Sequence, residues 1–374
     1  MPPATSTPPK QALIRSTALD GVATPALAVD GAALARNIRR AAEFFASARA
    51  KLRPHFKAHK CTTLLRRQLE AGGCSGVTCA TAAEALILAN AGFDDILVAN
   101  EVADDKGLSA LAAAARHARV TVAIDCHAHV RLLPAVAADA EVTFAILVEI
   151  DVGLHRCGIA PGSPELLELA SAVAEAPGLR FVGLQGYEGH AVFVPERARR
   201  DELVRAAGDT LVKERDRLLH AGLDCRLISG GGTGTYDLAA DAGVLDEVQA
   251  GSYALMDARY RGLDIGFEPA LHCLTTVISR HGARAVVDAG LKSLSAEYGL
   301  PAPTAAGIEP VDFSDEHLQL KLNGAADLAV GDRITLIPAH VDPTVNLHDV
   351  LFVVDDGAVD AWPIDGRRTN VRSV

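Results

Sequence analysis

The chain has 374 residues, 49% of them hydrophobic, and a formal net charge of −11. That charge argues against a nucleic-acid partner or an anionic membrane surface, which need basic patches, and no apolar run approaches the ~18 residues that span a bilayer. The seven cysteines are scattered without a CxxC pair, so neither a disulfide framework nor a cysteine-rich zinc site is indicated, and a cytoplasmic setting is expected.

Residues 1–23 read as a disordered leader; the first twelve are rich in Pro, Thr and Ala and lack the apolar core of a signal peptide. Residues 24–29 read as a strand that joins a later β domain. From 30 to 264, strand-like and helix-like segments alternate. The strand candidates are Lys51–Phe56, Gly76–Cys79, Ile96–Ala99, Val120–Ile124, Val142–Ile150, Phe181–Leu184, Cys225–Ile228 and Glu247–Gln249. Between them lie segments of helical period such as Ala80–Ala91, Ala103–His117 and Pro195–Ala221. This alternation predicts a (β/α)8 barrel of TIM type, with an open flavodoxin-like sheet as the competitor that eight strands in one run disfavour. From 265 to 374, short β-rich runs separated by Gly, Pro and Asp turns predict an all-β second domain.

Leu52-Arg-Pro-His-Phe-Lys-Ala-His-Lys60 carries the most chemical information. As a strand it would send Arg53, His55 and Lys57 to one face, into the barrel, with Lys57 at the carboxyl end where barrel enzymes place their chemistry. A desolvated lysine there is a nucleophile able to form a Schiff base; the plain alternative is an exposed basic turn. Other unusual strings follow later strands: Asp151–Gly158, Gln185–His190, Ser229-Gly-Gly-Gly-Thr-Gly-Thr235 and Ala250–Tyr253. Glycines let backbone N–H groups approach an anion, and barrels often hold phosphate after strands seven and eight. Ser229–Thr235 with Gly251 and Ser252 therefore read as a phosphate cup, or as a flexible loop on the run alone. A lysine across the mouth from such a cup points to pyridoxal 5′-phosphate. In the second domain His340 and Asp342 lie two apart and, in an extended segment, could share Mn²⁺, Mg²⁺ or Zn²⁺. Spacing alone favours a turn capped by Asp342 before Pro343.

Taken in order, RPHFKAHK, EIDVGLHRCG, SGGGTGT, QAGSYALMD, VVDAGLK and PAHVDPTVNLHD resemble the fold-type III pyridoxal-phosphate enzymes of the D-threonine aldolase and D-serine dehydratase-like group. The resemblance runs from residue 24 to the C-terminus. It implies a barrel plus β domain, a homodimer and an amino-acid substrate, with Lys57 rather than Lys60 bearing the cofactor. It further implies cofactor contacts at Ser229, Gly231, Gly232, Thr233, Gly251, Ser252, Tyr187 and Tyr253, with Tyr253 near the phosphate and Arg156 near the ring oxygen. It makes His340 and Asp342 the divalent-metal pair, and Asp342 favours the aldolase branch because the dehydratase branch usually has cysteine there. Two departures stand out. Phe193 occupies the place where a second histidine is expected, so His190 or Glu188 becomes the candidate proton acceptor, and Thr78–Glu84 lacks a Gln-Lys pair common in relatives. The expected reaction is retro-aldol cleavage of a D-configured β-hydroxy-α-amino acid to glycine and an aldehyde. Alternatives are a D-serine or 3-hydroxyaspartate dehydratase, an amino-acid racemase or epimerase, and a non-catalytic cofactor carrier.

Overall fold

A computed structural model describes residues 19–324 and 326–367; the leader expected over residues 1–23 falls largely outside them. Eight parallel strands form the first sheet: β2 (Lys51–Leu52), β3 (Val77–Cys79), β4 (Asp95–Val98), β5 (Arg119–Ile124), β6 (Phe144–Glu149), β7 (Leu179–Gly186), β8 (Leu227–Gly230) and β9 (Glu247–Val248). β2 pairs with β9 in register Leu52↔Val248, and bridges Leu52↔Cys74 and His55↔Thr78 tie it to the β3 side, closing the barrel. Strands covered on both faces read as continuous apolar runs; β6, FAILVE, is buried at every residue.

The covering helices are α1 (Gly31–Ser47), α2 (Thr62–Glu70), α3 (Ala82–Asn90), α4 (Asp105–Ala115), α5 (His127–Ala140), α6 (Glu165–Glu175), α7 (Arg197–His220) and α8 (Tyr236–Asp241). In α1, Ala33, Leu34, Ile38, Ala41, Ala42 and Phe45 are buried, the three-to-four spacing of one helical face. Asp30 starts it by accepting a 2.9 Å bond from the Ala33 N–H.

The second sheet runs β13 (Ile308–Phe313), β14 (Leu318–Leu322), β11 (Arg284–Val287), β10 (Leu271–His281), β1 (Ala26–Asp30), β16 (Val350–Asp355), β17 (Ala358–Pro363). β15 (Arg333–Ile337) also pairs with β10, and β12 (Ala302–Pro303) with β15. β1 lies antiparallel to β10 and parallel to β16, so the first strand of the described residues sits inside this sheet.

Two local expectations are corrected. The strand expected over Lys51–Phe56 is regular only over Lys51–Leu52; the Arg53 and His55 N–H groups still donate to the Val248 and Ala250 carbonyls, and a 3₁₀ turn follows over Phe56–Ala58. Lys57 therefore rides on that turn. The segment holding His340 and Asp342 is not extended: His340 is the N-cap and Asp342 the second residue of α9 (Val341–Val345).

Candidate active site

A cavity of about 550 Å³ opens over the carboxyl ends of the barrel strands and is roofed by second-domain residues. Lys57 enters it from the turn after β2, Arg156 and Cys157 from the loop after β6, Tyr187 from after β7, Gly231–Thr233 from after β8, and Gly251–Ser252 from after β9. Glu297, Tyr298, His340 and Asp342 come from the second domain.

Lys57 Nζ stands 3.9 Å from Asp342 Oδ2, and its side chain is 42% exposed. Lys60 takes a different course: its backbone turns to φ 51° and its Nζ pairs with the buried Glu84 at 2.9 Å. Arg53, two residues before His55, points into the barrel, where buried Glu247 (2.8 Å) and Asp95 (3.1 Å) hold its guanidinium. His55 also lines the cavity; burial, reinforced by Lys57, holds its imidazole neutral, well below the usual histidine range.

Asp342 Oδ1 accepts from Ser252 Oγ at 3.2 Å and lies 3.9 Å from His340 Nε2, too far for a hydrogen bond. The two side chains thus converge on one corner of the cavity without bonding each other. Asp257 fixes this corner by accepting from the N–H groups of Val341 (3.0 Å) and Tyr260 (2.8 Å), and burial pushes its carboxyl up to about 6. Arg156 lies with its Cζ 5.6 Å from the Tyr187 ring centroid. Phe193 fills the wall between Tyr260 and Tyr298, at 4.7 and 5.1 Å between ring centroids.

Ser229, Tyr253 and His190, singled out in the sequence, do not line the cavity, and neither does Glu188. Ser229 lies beneath it, accepting from the Gln249 amide at 2.9 Å. Tyr253 is buried with its hydroxyl accepting from Gln68 at 2.9 Å, so only its neighbours face the cavity. The His190 ring rests on Gly153, where an added Cβ would meet its Cε1 at 3.1 Å. Burial lowers the His190 pKa.

Sequence reasoning missed Gln249, Glu297 and Tyr298, and gave Glu188 a proton-accepting role. Glu188 is instead buried beneath the glycine run, accepting from the Gly231 N–H at 3.1 Å and from the Thr235 hydroxyl at 2.6 Å. Glu149 is a second buried carboxyl: it is bonded to Gln185, and burial raises it to about 7.

Residues 29–258 match the alanine racemase N-terminal domain family, and residues 270–354 match the putative serine dehydratase domain. A D-threonine aldolase of Arthrobacter sp. is 38% identical over 354 residues, covering 92% of this chain and 93% of that protein. The chain belongs to the fold-type III pyridoxal-phosphate enzymes of the D-threonine aldolase and D-serine dehydratase-like family. A 3-hydroxy-D-aspartate aldolase of Paracoccus denitrificans (strain Pd 1222) is 36% identical over 359 residues, covering 92% of each chain. The crystal structure of D-threonine aldolase from Filomicrobium marinum superposes with a TM-score of 0.88 at 38% identity, covering 92% of this chain and 95% of that one.

This fold-type III enzyme is a pyridoxal-phosphate-dependent lyase, and its cavity fits the cofactor. Lys57 supplies the one lysine amine among the described lining residues. The Gly231 and Gly232 N–H groups are already given to Glu188 and to Thr235 Oγ1, at 3.1 and 3.3 Å. Among the described residues, no acceptor is bonded to the N–H groups of Thr233, Gly251 or Ser252, which leaves three amides at the cavity wall for a phosphate. Gly251 also lets the chain pass close, since an added Cβ would fall 2.5 Å from the His55 carbonyl oxygen. His55 lines the same cavity, and its Nδ1 is a buried atom without a hydrogen-bond partner.

Proposed function

We propose that this enzyme is a divalent-metal-assisted aldolase that cleaves a D-configured β-hydroxy-α-amino acid, of the D-threonine kind, to glycine and an aldehyde. The observation that carries the reading is the meeting of Lys57 with Asp342 and His340 in one cavity, at 3.9 Å for each pair that includes Asp342. An imidazole nitrogen and a carboxylate oxygen with open lone pairs suit Mn²⁺, Mg²⁺ or Zn²⁺. Support also comes from the aldolase names of relatives matched over 92% of the chain.

In this reading Lys57 anchors the cofactor, the amides of Thr233, Gly251 and Ser252 hold its phosphate, and Arg156 lies beside its ring. When bound, the cofactor supplies an electron sink for the charge left at Cα, and the cation polarises the β-hydroxyl. His340 and Asp342 set where that hydroxyl must lie. Lys57, in reach of Asp342, is the amine placed to accept or return protons there. Phe193, Tyr260 and Tyr298 stack into an aromatic wall along one side of the cavity. His190 has no part, because its ring rests on Gly153 and not on the cavity wall.

The test is to incubate the purified enzyme with D-threonine, D-serine and 3-hydroxy-D-aspartate, with and without a chelator, and to identify products. Glycine from D-threonine, lost on chelation and restored by Mn²⁺ while the bound cofactor's visible absorbance persists, is the expected result. Full activity after chelation refutes the metal role. Ammonia and a keto acid in place of glycine would establish the dehydratase reading, which the match of residues 270–354 keeps in view. Size-exclusion chromatography tests the homodimer carried over from the resemblance.

A further inference from the structure

We propose that Glu297 is a positioning residue for the cation: its carboxylate fixes the His340 tautomer so that Nε2 is free to bind metal. The inference rests on the metal reading above and extends it to a residue outside the ligand pair. His340 Nδ1 lies 2.7 Å from Glu297 Oε2. A carboxylate can only accept, so Nδ1 carries the proton and donates. In the neutral ring the other nitrogen, Nε2, is then the one that carries a lone pair, and it lies 3.9 Å from Asp342 Oδ1. Without that acceptor the neutral ring is free to place its proton on Nε2, which closes the ligand position.

The loop carrying Glu297 is tied to the helix that carries the pair. Ser295 N–H donates to Thr344 Oγ1 at 3.1 Å, the Thr344 hydroxyl donates to the His340 carbonyl at 2.7 Å, and Glu297 N–H donates to Ser295 Oγ at 3.2 Å. The Tyr298 ring packs on the His340 ring at 4.6 Å between centroids. Glu297 is thus held at one edge of the imidazole while Tyr298 restrains its face. Its own side chain is about half exposed, so it is placed by this loop and not by burial.

The test uses the cofactor-loaded enzyme and Mn²⁺ alone, with binding followed by isothermal titration and by the electron paramagnetic resonance of free Mn²⁺. Glu297→Ala should weaken Mn²⁺ binding about 10–100-fold with the visible absorbance of the cofactor unchanged. Glu297→Gln keeps an acceptor for Nδ1–H and should recover most of that loss. Wild-type affinity in the Glu297→Ala variant overturns the proposal. If the wild-type enzyme binds no Mn²⁺, or a His340→Ala variant binds it as well as wild type, the metal reading fails and takes this inference with it.

Discussion

Replacing Gly251 by alanine tests whether the close approach of the β9 loop to the Lys57 turn builds the cofactor site. The added Cβ would lie 2.5 Å from the His55 carbonyl oxygen, 2.9 Å from His55 Cβ and 3.1 Å from Ala58 Cβ. The first contact is roughly 1 Å short of ordinary van der Waals separation. Its partner is backbone, so relief requires the two segments to part. They are joined by the 3.1 Å bond from the His55 N–H to the Ala250 carbonyl, and the His55 carbonyl also starts the turn that carries Lys57. Overpacking of this kind costs about 1–3 kcal/mol and a weakened buried hydrogen bond about 1 more, giving about 2–4 kcal/mol in all. For a chain of this size that is a fall in Tm of roughly 3–5 °C. A Lys57 displacement near 1 Å should cost about 100-fold in turnover. Thermal melting, cofactor absorbance and kcat measure the three consequences. Gly262→Ala is the control, since nothing lies within 4 Å of the Cβ it would add. A Gly251→Ala variant with wild-type Tm and cofactor affinity would refute the reasoning.

The eight barrel strands were legible because fully covered parallel strands read as apolar runs, and β6 and β5 are nearly pure cases. The site strings were legible because each put an unusual polar or glycine-rich segment directly after such a run. The lost details are those that depend on chain direction over two or three residues. The regular first strand is shorter than the alternation argument assumed, yet Arg53 and His55 still turn inward, because their N–H groups go on bonding to the Val248 and Ala250 carbonyls. A two-residue spacing cannot distinguish an extended segment from the start of a helix, and His340–Asp342 proved to be the latter. Tyr253 followed the phosphate loop in sequence, but its hydroxyl is taken by Gln68 of α2, a partner 185 residues away. Glu297 was invisible for the same reason: it meets His340 across 43 residues and has no periodic or motif signal of its own.

Two further predictions concern the scaffold beneath the site. Arg53→Met should lower stability by about 3–5 kcal/mol in urea unfolding, because it leaves the buried Glu247 carboxylate without its cation, while Asp95 keeps Arg119 at 3.1 Å; a change under about 1 kcal/mol would show that the trio does not brace the barrel closure. The second is a dependence on acid. Burial lowers both His59 and His272 from the usual 6.5 to about 4. His59 is neutral in a bond with Gln68 at 3.0 Å and accepts from the Cys61 N–H at 3.2 Å, while His272 Nδ1 is buried without a partner. Between pH 6.5 and 4 the unfolded chain binds protons at these positions and the folded chain does not. Their stabilising contribution is therefore complete above pH 6.5 and is lost as the pH falls through about 4. Going from pH 7 to 5 should cost roughly 2 kcal/mol per histidine, since each pKa unit is about 1.4 kcal/mol. A His272→Leu variant removes one of the two sites and should lose about 2 kcal/mol less than wild type over that interval in urea unfolding. Identical losses would mean that His272 takes up its proton as readily in the folded protein as in the unfolded chain.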